Sequence, residues 1–394
     1  MVYYRSDFPK TLVLLHTGAT RYTEAQVARY RSLRDLDWPM LVIALAICAL
    51  GVLQIYSATH DSLANVKWHS AWWKQVLWIL IGIGIMWIVT SIDYHTLLGQ
   101  VPVLYVLSIV ALLATFAVGD VVFHSRRWIS IPGTGFQIQT SEFEKIVIIL
   151  LVARYLSELK SDTIGLRDLL KLGGLVGIPT MLVMSQPDFG TGATYLPILA
   201  GGVLLAGLRW QYLAAAVVVG ALALPVGWYF LKPYQRDRLV MFRDPSADAR
   251  GRGYQVIQSK IAVGHGGMWG RGVTQGTQTQ LRFLPVPHTD FIFSSFAEEH
   301  GFVGVVVALG LYFLLLMQVV QNAQAAPDRA GMYVCMGVAT LLLFHLLVNV
   351  GMVVGYMPVT GIPLPLMSSG GSSMFSVFMM LGLVNNVRLR RFVS

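Results

Sequence analysis

One aspartate stands where a proline-rich run gives way to a long apolar stretch: Phe283-Leu284-Pro285-Val286-Pro287-His288-Thr289-Asp290-Phe291. Two roles are open to a carboxylate in that place. It can cap or begin a helix, which stabilises by roughly 1 kcal/mol. It can also sit half-desolvated at the mouth of a helical bundle and act as a general base. His288 and Thr289 beside it are candidate substrate contacts. Glu298 and Glu299 lie two turns further on, where an acid costs several kcal/mol unless paired or solvated; they mark a cavity or a polar network. A second acidic group, Glu142, is three residues from Lys145, so on a helix the two share a face and can pair. That pair is either a structural salt bridge or part of a substrate cavity.

Basic residues accompany these acids. Lys232 to Thr289 carries Lys232, Arg236, Arg238, Arg243, Arg250, Arg252, Lys260, Arg271 and Arg282. Within it, Gly264-His265-Gly266-Gly267-Met268-Trp269-Gly270-Arg271-Gly272 suits tight turns and close approach to a ligand. Arg236, Lys260 and Arg271 are candidates for holding phosphate oxygens. Any one of these cations can equally meet an anionic lipid headgroup; as a set they point to an anionic substrate. Ile257–Val263, with Lys260 in it, reads as a short helix at the membrane surface. Arg127, in Arg126-Arg127-Trp128, is a further candidate phosphate contact, with Trp128 as an interfacial anchor. Asp188, in the turn Gln186–Gly192, reads as a helix cap. The Gly361–Ser373 segment is irregular and hydroxyl-rich, and offers Ser368 as a substrate contact or as close helix packing.

The elements that must position these groups are membrane helices. Of 394 residues, 55% are hydrophobic and 12% charged, and the mean hydropathy is +0.62. A soluble helical core is excluded by the grouping of apolar residues into blocks. About ten blocks approach the roughly 20 residues needed to span a bilayer: Trp38–Tyr56, Val76–Ile92, Val101–Val118, Phe143–Leu156, Leu170–Met184, Thr191–Leu208, Leu213–Leu231, Phe291–Val320, Met332–Tyr356 and Ser372–Val387. The expected fold is an all-α polytopic bundle of about ten spans, with a long extracytoplasmic loop, 232–289, between spans seven and eight. Arg and Lys gather before the first span, after the last and in alternate short connections, which places both termini in the cytoplasm. Residues 1–37 then form a cytoplasmic extension without a signal-peptide pattern, 38–387 the membrane domain and 388–394 a cytoplasmic tail. Cys48 and Cys335 lie in apolar spans and read as packing residues. The net charge of +9 flanks the spans and requires no nucleic acid.

Taken in order, these segments resemble the SEDS family (shape, elongation, division and sporulation proteins). The matching stretches are Asp37–Thr59, Gln139–Lys145, Gln186–Gly192, Tyr234-Gln235-Arg236, Gly253–Gly272, Gly276–Gly304, Asn349–Met352 and Gly361–Ser373. Gln258-Ser259-Lys260-Ile261-Ala262, Gly276-Thr277-Gln278-Thr279-Gln280-Leu281 and Gly361-Ile362-Pro363-Leu364-Pro365 are similar to the rod-shape (RodA-type) branch rather than the division branch. Thr140, Glu144, Val286, His265 and Ser369 depart from the usual residues of the family's motifs.

The resemblance implies a peptidoglycan glycosyltransferase of the bacterial cytoplasmic (inner) membrane. It implies polymerisation of lipid II at the outer leaflet during cell elongation, with a class B penicillin-binding protein and other elongation-complex proteins as partners. Asp290 then matches an essential loop aspartate, Glu142 and Lys145 an intramembrane pair, and Lys260 a loop lysine. Transfer from an α-linked donor to a β-linked glycan inverts the anomeric centre and needs one base. No metal ligand set is specified, and a divalent cation (Mg or Mn) stays open as an aid to the leaving pyrophosphate. A lipid II flippase and a non-catalytic cell-wall synthase scaffold are the alternative readings.

Overall fold

The structure, a computed structural model, describes residues 35–60, 71–122, 125–130, 136–159, 163–230, 233–245 and 252–391. Nearly all of the N-terminal extension, together with Lys232, Arg250 and the last three residues, lies outside the described residues. Each apolar block falls on a helix. These are α1 (Trp38–His60), α2 (Ala71–Ser91), α4 (Val101–Val118), α5 (Thr140–Ser157), α6 (Leu166–Ser185), the pair α7 (Phe189–Ala193) and α8 (Tyr195–Leu205), α9 (Trp210–Phe230), α13 (Ile292–Gln324), α14 (Arg329–Val354) and α15 (Gly371–Leu389). Among the described residues six of them, α1, α2, α4, α6, α13 and α14, are long and apolar enough to cross a membrane. A short α3 (Tyr94–Gly99) joins α2 to α4.

Packing follows the small residues. An added Cβ on Gly51 of α1 would stand 2.6 Å from the Met367 carbonyl oxygen, and one on Gly82 of α2 2.4 Å from the Phe378 ring of α15. Such close approach is how helices associate where lipid offers no hydrophobic contrast. The main contacts run α2 to α15, α13 to α14, α1 to α13 and α5 to α14. Polar groups tie the helix ends at one pole of the bundle. Asp37 pairs with Arg388 at 3.1 Å and accepts from Gln318 Nε2 at 2.9 Å. Nearby, Arg390 reaches Asp93 at 3.2 Å.

Two expectations need correction. The fold is not wholly helical, because β1 (Asp120–Val122), β2 (Ser125–Ser130) and β3 (Gln137–Gln139) form an antiparallel sheet in order β1-β2-β3. The connection between α4 and α5 has no apolar face to bury as a helix, and strand pairing satisfies its backbone instead. The Thr191–Leu208 block is interrupted at Thr194, whose hydroxyl donates to the Thr191 carbonyl at 2.6 Å. Within the 232–289 connection the described residues form α10 (Pro233–Arg243), α11 (Arg252–His265), which contains the short helix expected at Ile257–Val263, and α12 (Thr277–Gln280).

Candidate functional site

Asp290 lies in the turn just before α13 and is half-buried, whereas every residue from Phe291 to Glu299 is buried. Its main chain is held from two sides. Asn349 of α14 donates through Nδ2 to the Asp290 carbonyl at 3.1 Å and to that of Ile362 at 2.9 Å. Ser368 donates to the Thr289 carbonyl at 2.7 Å while accepting from the Leu364 N–H at 2.9 Å. The Ser369 N–H donates to the His288 carbonyl at 3.0 Å, and Gln75 of α2 donates to the Ser368 carbonyl at 3.1 Å. Gly361, at φ +73°, passes so close that an added Cβ would meet Asp290 Oδ2 at 3.4 Å. The 360s segment thus forms a wall against which the carboxylate rests. Ser368 serves that wall, with its hydroxyl engaged by the protein as both donor and acceptor.

Lys260 converges on the same place from α11. Ser259 beside it donates to the Val353 carbonyl at 2.7 Å and lies 2.8 Å from Ser294 Oγ. The Lys260 stem crosses Gly355, where an added Cβ would stand 2.0 Å from Cε and 2.5 Å from Nζ. Gly355 ends α14 in the left-handed conformation at φ 80°, so the ammonium sits at the negative end of that helix. Asn349, which holds Asp290, and Gly355, under Lys260, are six residues apart on α14, about 9 Å along its axis. The exposed cation and the half-buried acid therefore share one rim.

The opposite edge carries Arg127. Its Nη1 lies 3.4 Å from Asp188 Oδ1. Asp188 also accepts from Gln139 Nε2 at 2.8 Å and from the Thr191 N–H at 3.3 Å. It caps α7 as expected, and it additionally fixes the arginine, which its position in a turn motif did not reveal. Gly190 of α7 abuts the Thr360 carbonyl oxygen, 2.5 Å from an added Cβ. The Thr360–Gly361 step therefore separates α7 from the Asp290 carboxylate by a distance on the order of 10 Å.

The remaining acids belong to the frame. Glu142 and Lys145 are buried and pair at 2.6 Å. Ser376 of α15 donates to the Glu142 carbonyl at 2.9 Å and Tyr195 of α8 to that of Ser141 at 2.8 Å. Glu298 accepts from the Gln278 N–H at 2.7 Å, the Thr279 N–H at 3.1 Å and the Thr279 hydroxyl at 2.8 Å. Glu299 accepts from Ser57 Oγ at 2.6 Å and Gln54 Nε2 at 3.2 Å on α1. A helix break at Gly301 (φ 64°, ψ −166°) lies just beyond both acids.

The glycine-rich segment fills that break. Arg271 N–H donates to the Glu298 carbonyl and Gly272 N–H to the Glu299 carbonyl, each at 3.0 Å; in return the Phe302 and Val303 N–H groups reach the Gly267 and Met268 carbonyls at 2.9 and 3.1 Å. The close approach expected toward a ligand is made here to the backbone of α13. Arg271 folds back on the segment, its Nε donating to the His265 carbonyl at 2.9 Å. Arg236 donates to the Tyr229 carbonyl at 2.8 Å. Neither arginine is drawn into the Asp290 rim by these bonds. His288 is pressed into the turn, and burial pushes its imidazole from the usual 6.5 down to about 4. It is a neutral group at neutral pH. Among the described residues no cluster of three or more His, Cys, Asp or Glu could hold a metal ion. Asn349, Gln75 and the second role of Asp188 escaped the sequence reading; polar side chains inside apolar helices were the available signal.

A bundle of membrane-length helices with a half-buried carboxylate just before α13, Lys260 across the end of α14 and Arg127 held by Asp188 at the N-terminus of α7 describes the class of fold and site. A family model described as cell cycle protein (FtsW, RodA, SpoVE) matches residues 37–391. The peptidoglycan glycosyltransferase MrdB of Escherichia coli (strain K12) is 38% identical over 365 residues, covering 90% of this chain and 94% of the relative. The peptidoglycan glycosyltransferase RodA of Treponema pallidum (strain Nichols) is 33% identical, covering 92% and 100%. A chain solved in work on the structural coordination of polymerization and crosslinking by a peptidoglycan synthase complex superposes with a TM-score of 0.78 at 33% identity, over 91% of this chain and 99% of that one. The crystal structure of the rod shape determining protein RodA of Thermus thermophilus gives 0.66 at 28% identity, over 91% and 98%. The chain belongs to the SEDS family, in its RodA-type branch. Its enzyme class is peptidoglycan glycosyltransferase.

Proposed function

We propose that this chain polymerises lipid II into glycan strands during cell elongation, by inverting transfer with loss of undecaprenyl pyrophosphate. The observation that supports it most directly is the Asp290 carboxylate resting on Gly361, its backbone held by Asn349 and Ser368, on the rim that also carries Lys260 and Arg127. In this reading Asp290 accepts the proton of the acceptor sugar hydroxyl as that oxygen attacks the anomeric carbon. The bond to the pyrophosphate oxygen breaks on the opposite face. A pyrophosphate is already a good leaving group, so the site must neutralise charge rather than supply a proton. Lys260 and Arg127, the latter steadied by Asp188, are the cations placed for that. Thr289 and neutral His288 line the turn beside the base. Arg236 and Arg271 act further out, along the approach of the anionic donor. A divalent cation (Mg or Mn) carried on the phosphates is compatible with this reading, which routes no step through it.

In the same reading the bundle crosses the membrane ten times, with α7 and α8 together making one crossing. Both termini are cytoplasmic, residues 232–289 lie outside, and the Asp290 rim faces the outer leaflet. Residues 1–37 and 388–394 are cytoplasmic and 38–387 form the membrane domain. A class B penicillin-binding protein of the elongation complex is the partner that crosslinks the product. The test is product formation by the purified full chain given labelled lipid II in detergent, where no leaflets exist. Polymer is the expected outcome. Intact lipid II after prolonged incubation, including with the partner added, would favour a flippase or a scaffold.

A further inference from the structure

The wall behind Asp290 is backbone that no helix or strand supports. Residues 361–369 belong to neither, although Ile362 and Leu364 to Ser368 are buried, and Pro363 and Pro365 carry no N–H. Carbonyls in such a segment need donors from elsewhere in the protein. The backbone serves Leu364, whose carbonyl accepts from the Met367 and Ser368 N–H groups at 3.3 and 3.0 Å. Its neighbours are served by side chains of two long helices. Asn349 of α14 donates to the Ile362 carbonyl at 2.9 Å, and Tyr312 of α13 donates to that of Pro365 at 2.5 Å. His345 of α14 stands at the Pro363 carbonyl, its Nδ1 3.2 Å away. The segment is also strained, because buried Leu366 has φ 65°. A leucine avoids that left-handed conformation and keeps it only where its surroundings over-determine it.

A carbonyl oxygen can only accept, so Nδ1 of His345 carries the proton of this contact. Four residues separate His345 from Asn349, so the two lie on one face of α14 and hold consecutive carbonyls. Asn349 also holds Asp290 itself, donating to its carbonyl at 3.1 Å. The imidazole is buried at 4% exposure, and its Nε2 has no hydrogen-bond partner among the described residues. Lys145, of the buried Glu142–Lys145 pair, acts electrostatically on the ring. The ring is thus within reach of both that pair and the wall behind Asp290.

We propose that His345 is a positioning residue for the transfer reaction, its Nδ1–H fixing the Pro363 carbonyl and, through it, the Gly361 step on which the Asp290 carboxylate rests. The inference rests on Asp290 as the base in the reading above. His345 acts through the wall and does not touch the reacting atoms. Asn349 holds the segment and Asp290 together, whereas His345 holds the segment alone. Its loss therefore lets the wall shift relative to the carboxylate. A small displacement of a base from the hydroxyl it serves slows the chemical step more than it weakens binding.

The test uses three variants of the full chain in detergent, with two readouts: turnover of labelled lipid II and amide hydrogen exchange across residues 361–370. His345→Leu removes the donor. His345→Gln keeps a polar side chain but carries its amide to the place of Nε2, and it serves if His345→Leu fails to fold. His345→Asn puts a nitrogen donor at the place of Nδ1. His345→Leu and His345→Gln should each lower kcat about 10-fold with KM within about 2-fold, and should speed exchange at 361–370 while α5 and α13 keep their protection. His345→Asn should restore most of both. Four results would overturn the proposal: exchange at 361–370 as slow in His345→Leu and His345→Gln as in the unaltered chain, an unchanged kcat despite faster exchange, His345→Asn no better than His345→Gln, or faster exchange spread evenly over α5, α13 and α14. If the unaltered chain makes no polymer, the reading of Asp290 fails instead, and exchange at 361–370 alone decides whether His345 fixes the wall.

Discussion

At the scale of single residues, Asp290 and Lys260 stand at the rim while Asn349, Ser368 and Asp188 hold its backbone and side chains in place. Lys260→Ala removes a cation near the Asp290 rim, yet Gly355 of α14 and the rest of α11 keep their backbone contacts. It should raise the KM for lipid II about 10-fold at nearly constant protein stability; an unchanged KM would leave the lysine as a cap of α14. Asp188→Asn probes Arg127 through its partner: asparagine Oδ1 keeps the acceptor for the Thr191 N–H, while the charge and the acceptor for Gln139 Nε2 are lost. It too should raise KM, with Asp188→Glu partly restoring it, whereas a purely capping role would leave KM alone. His288 predicts a pH dependence of stability. Its imidazole titrates near 4 in the folded chain against the usual 6.5, so between those values the unfolded state holds the extra proton. Stability from this group is present above 6.5 and is lost as pH falls toward 4. The thermal midpoint measured across that window should slope downward with acid, and His288→Gln should flatten the slope. Asp290, Lys260, Glu142 and Lys145 were visible as types at suggestive positions. The Asp188–Arg127 contact was not, since two segments far apart in sequence meet only through the sheet and α7.

At the scale of elements, the apolar blocks made the helices legible because composition alone dictates that backbone in lipid pairs internally. The connection after α4 was not legible: its strands run only three to six residues, with neither the period of a helix nor a long alternation. The glycine-rich segment misled for a different reason. Glycine permits close approach, but nothing local states whether the neighbour is a ligand or another backbone. In this chain the neighbour is the break in α13, and an added Cβ on Gly270 would stand 2.1 Å from the Glu299 carbonyl oxygen. Gly270 also has φ 82°, so Gly270→Ala meets both a clash and a disfavoured backbone. It should destabilise the chain by about 2–4 kcal/mol, read as a lowered thermal midpoint. A stable variant with wild-type midpoint would show that the segment is not a strut of α13.

At the scale of the whole molecule, two poles of the bundle carry different work. The pole with Asp37, Arg388 and Arg390 is bound by ion pairs between helix ends, while the pole with Asp290 is built from turns, a small sheet and the helices α10 to α12. Long, packed helices such as α14 connect them, with Arg329 at one end and Asn349 and Gly355 near the other. Such rigid elements place the groups of the candidate site more accurately than loops alone would. The ordering of family-like segments revealed this organisation, though not which surfaces meet. The most direct test of the central claim is the turnover of Asp290→Asn on labelled lipid II, measured beside its thermal midpoint. The expected result is a loss of about 10²–10⁴-fold in kcat, with the midpoint close to that of the unaltered chain and partner binding retained. Polymerisation at an undiminished rate by a well-folded Asp290→Asn chain would contradict it.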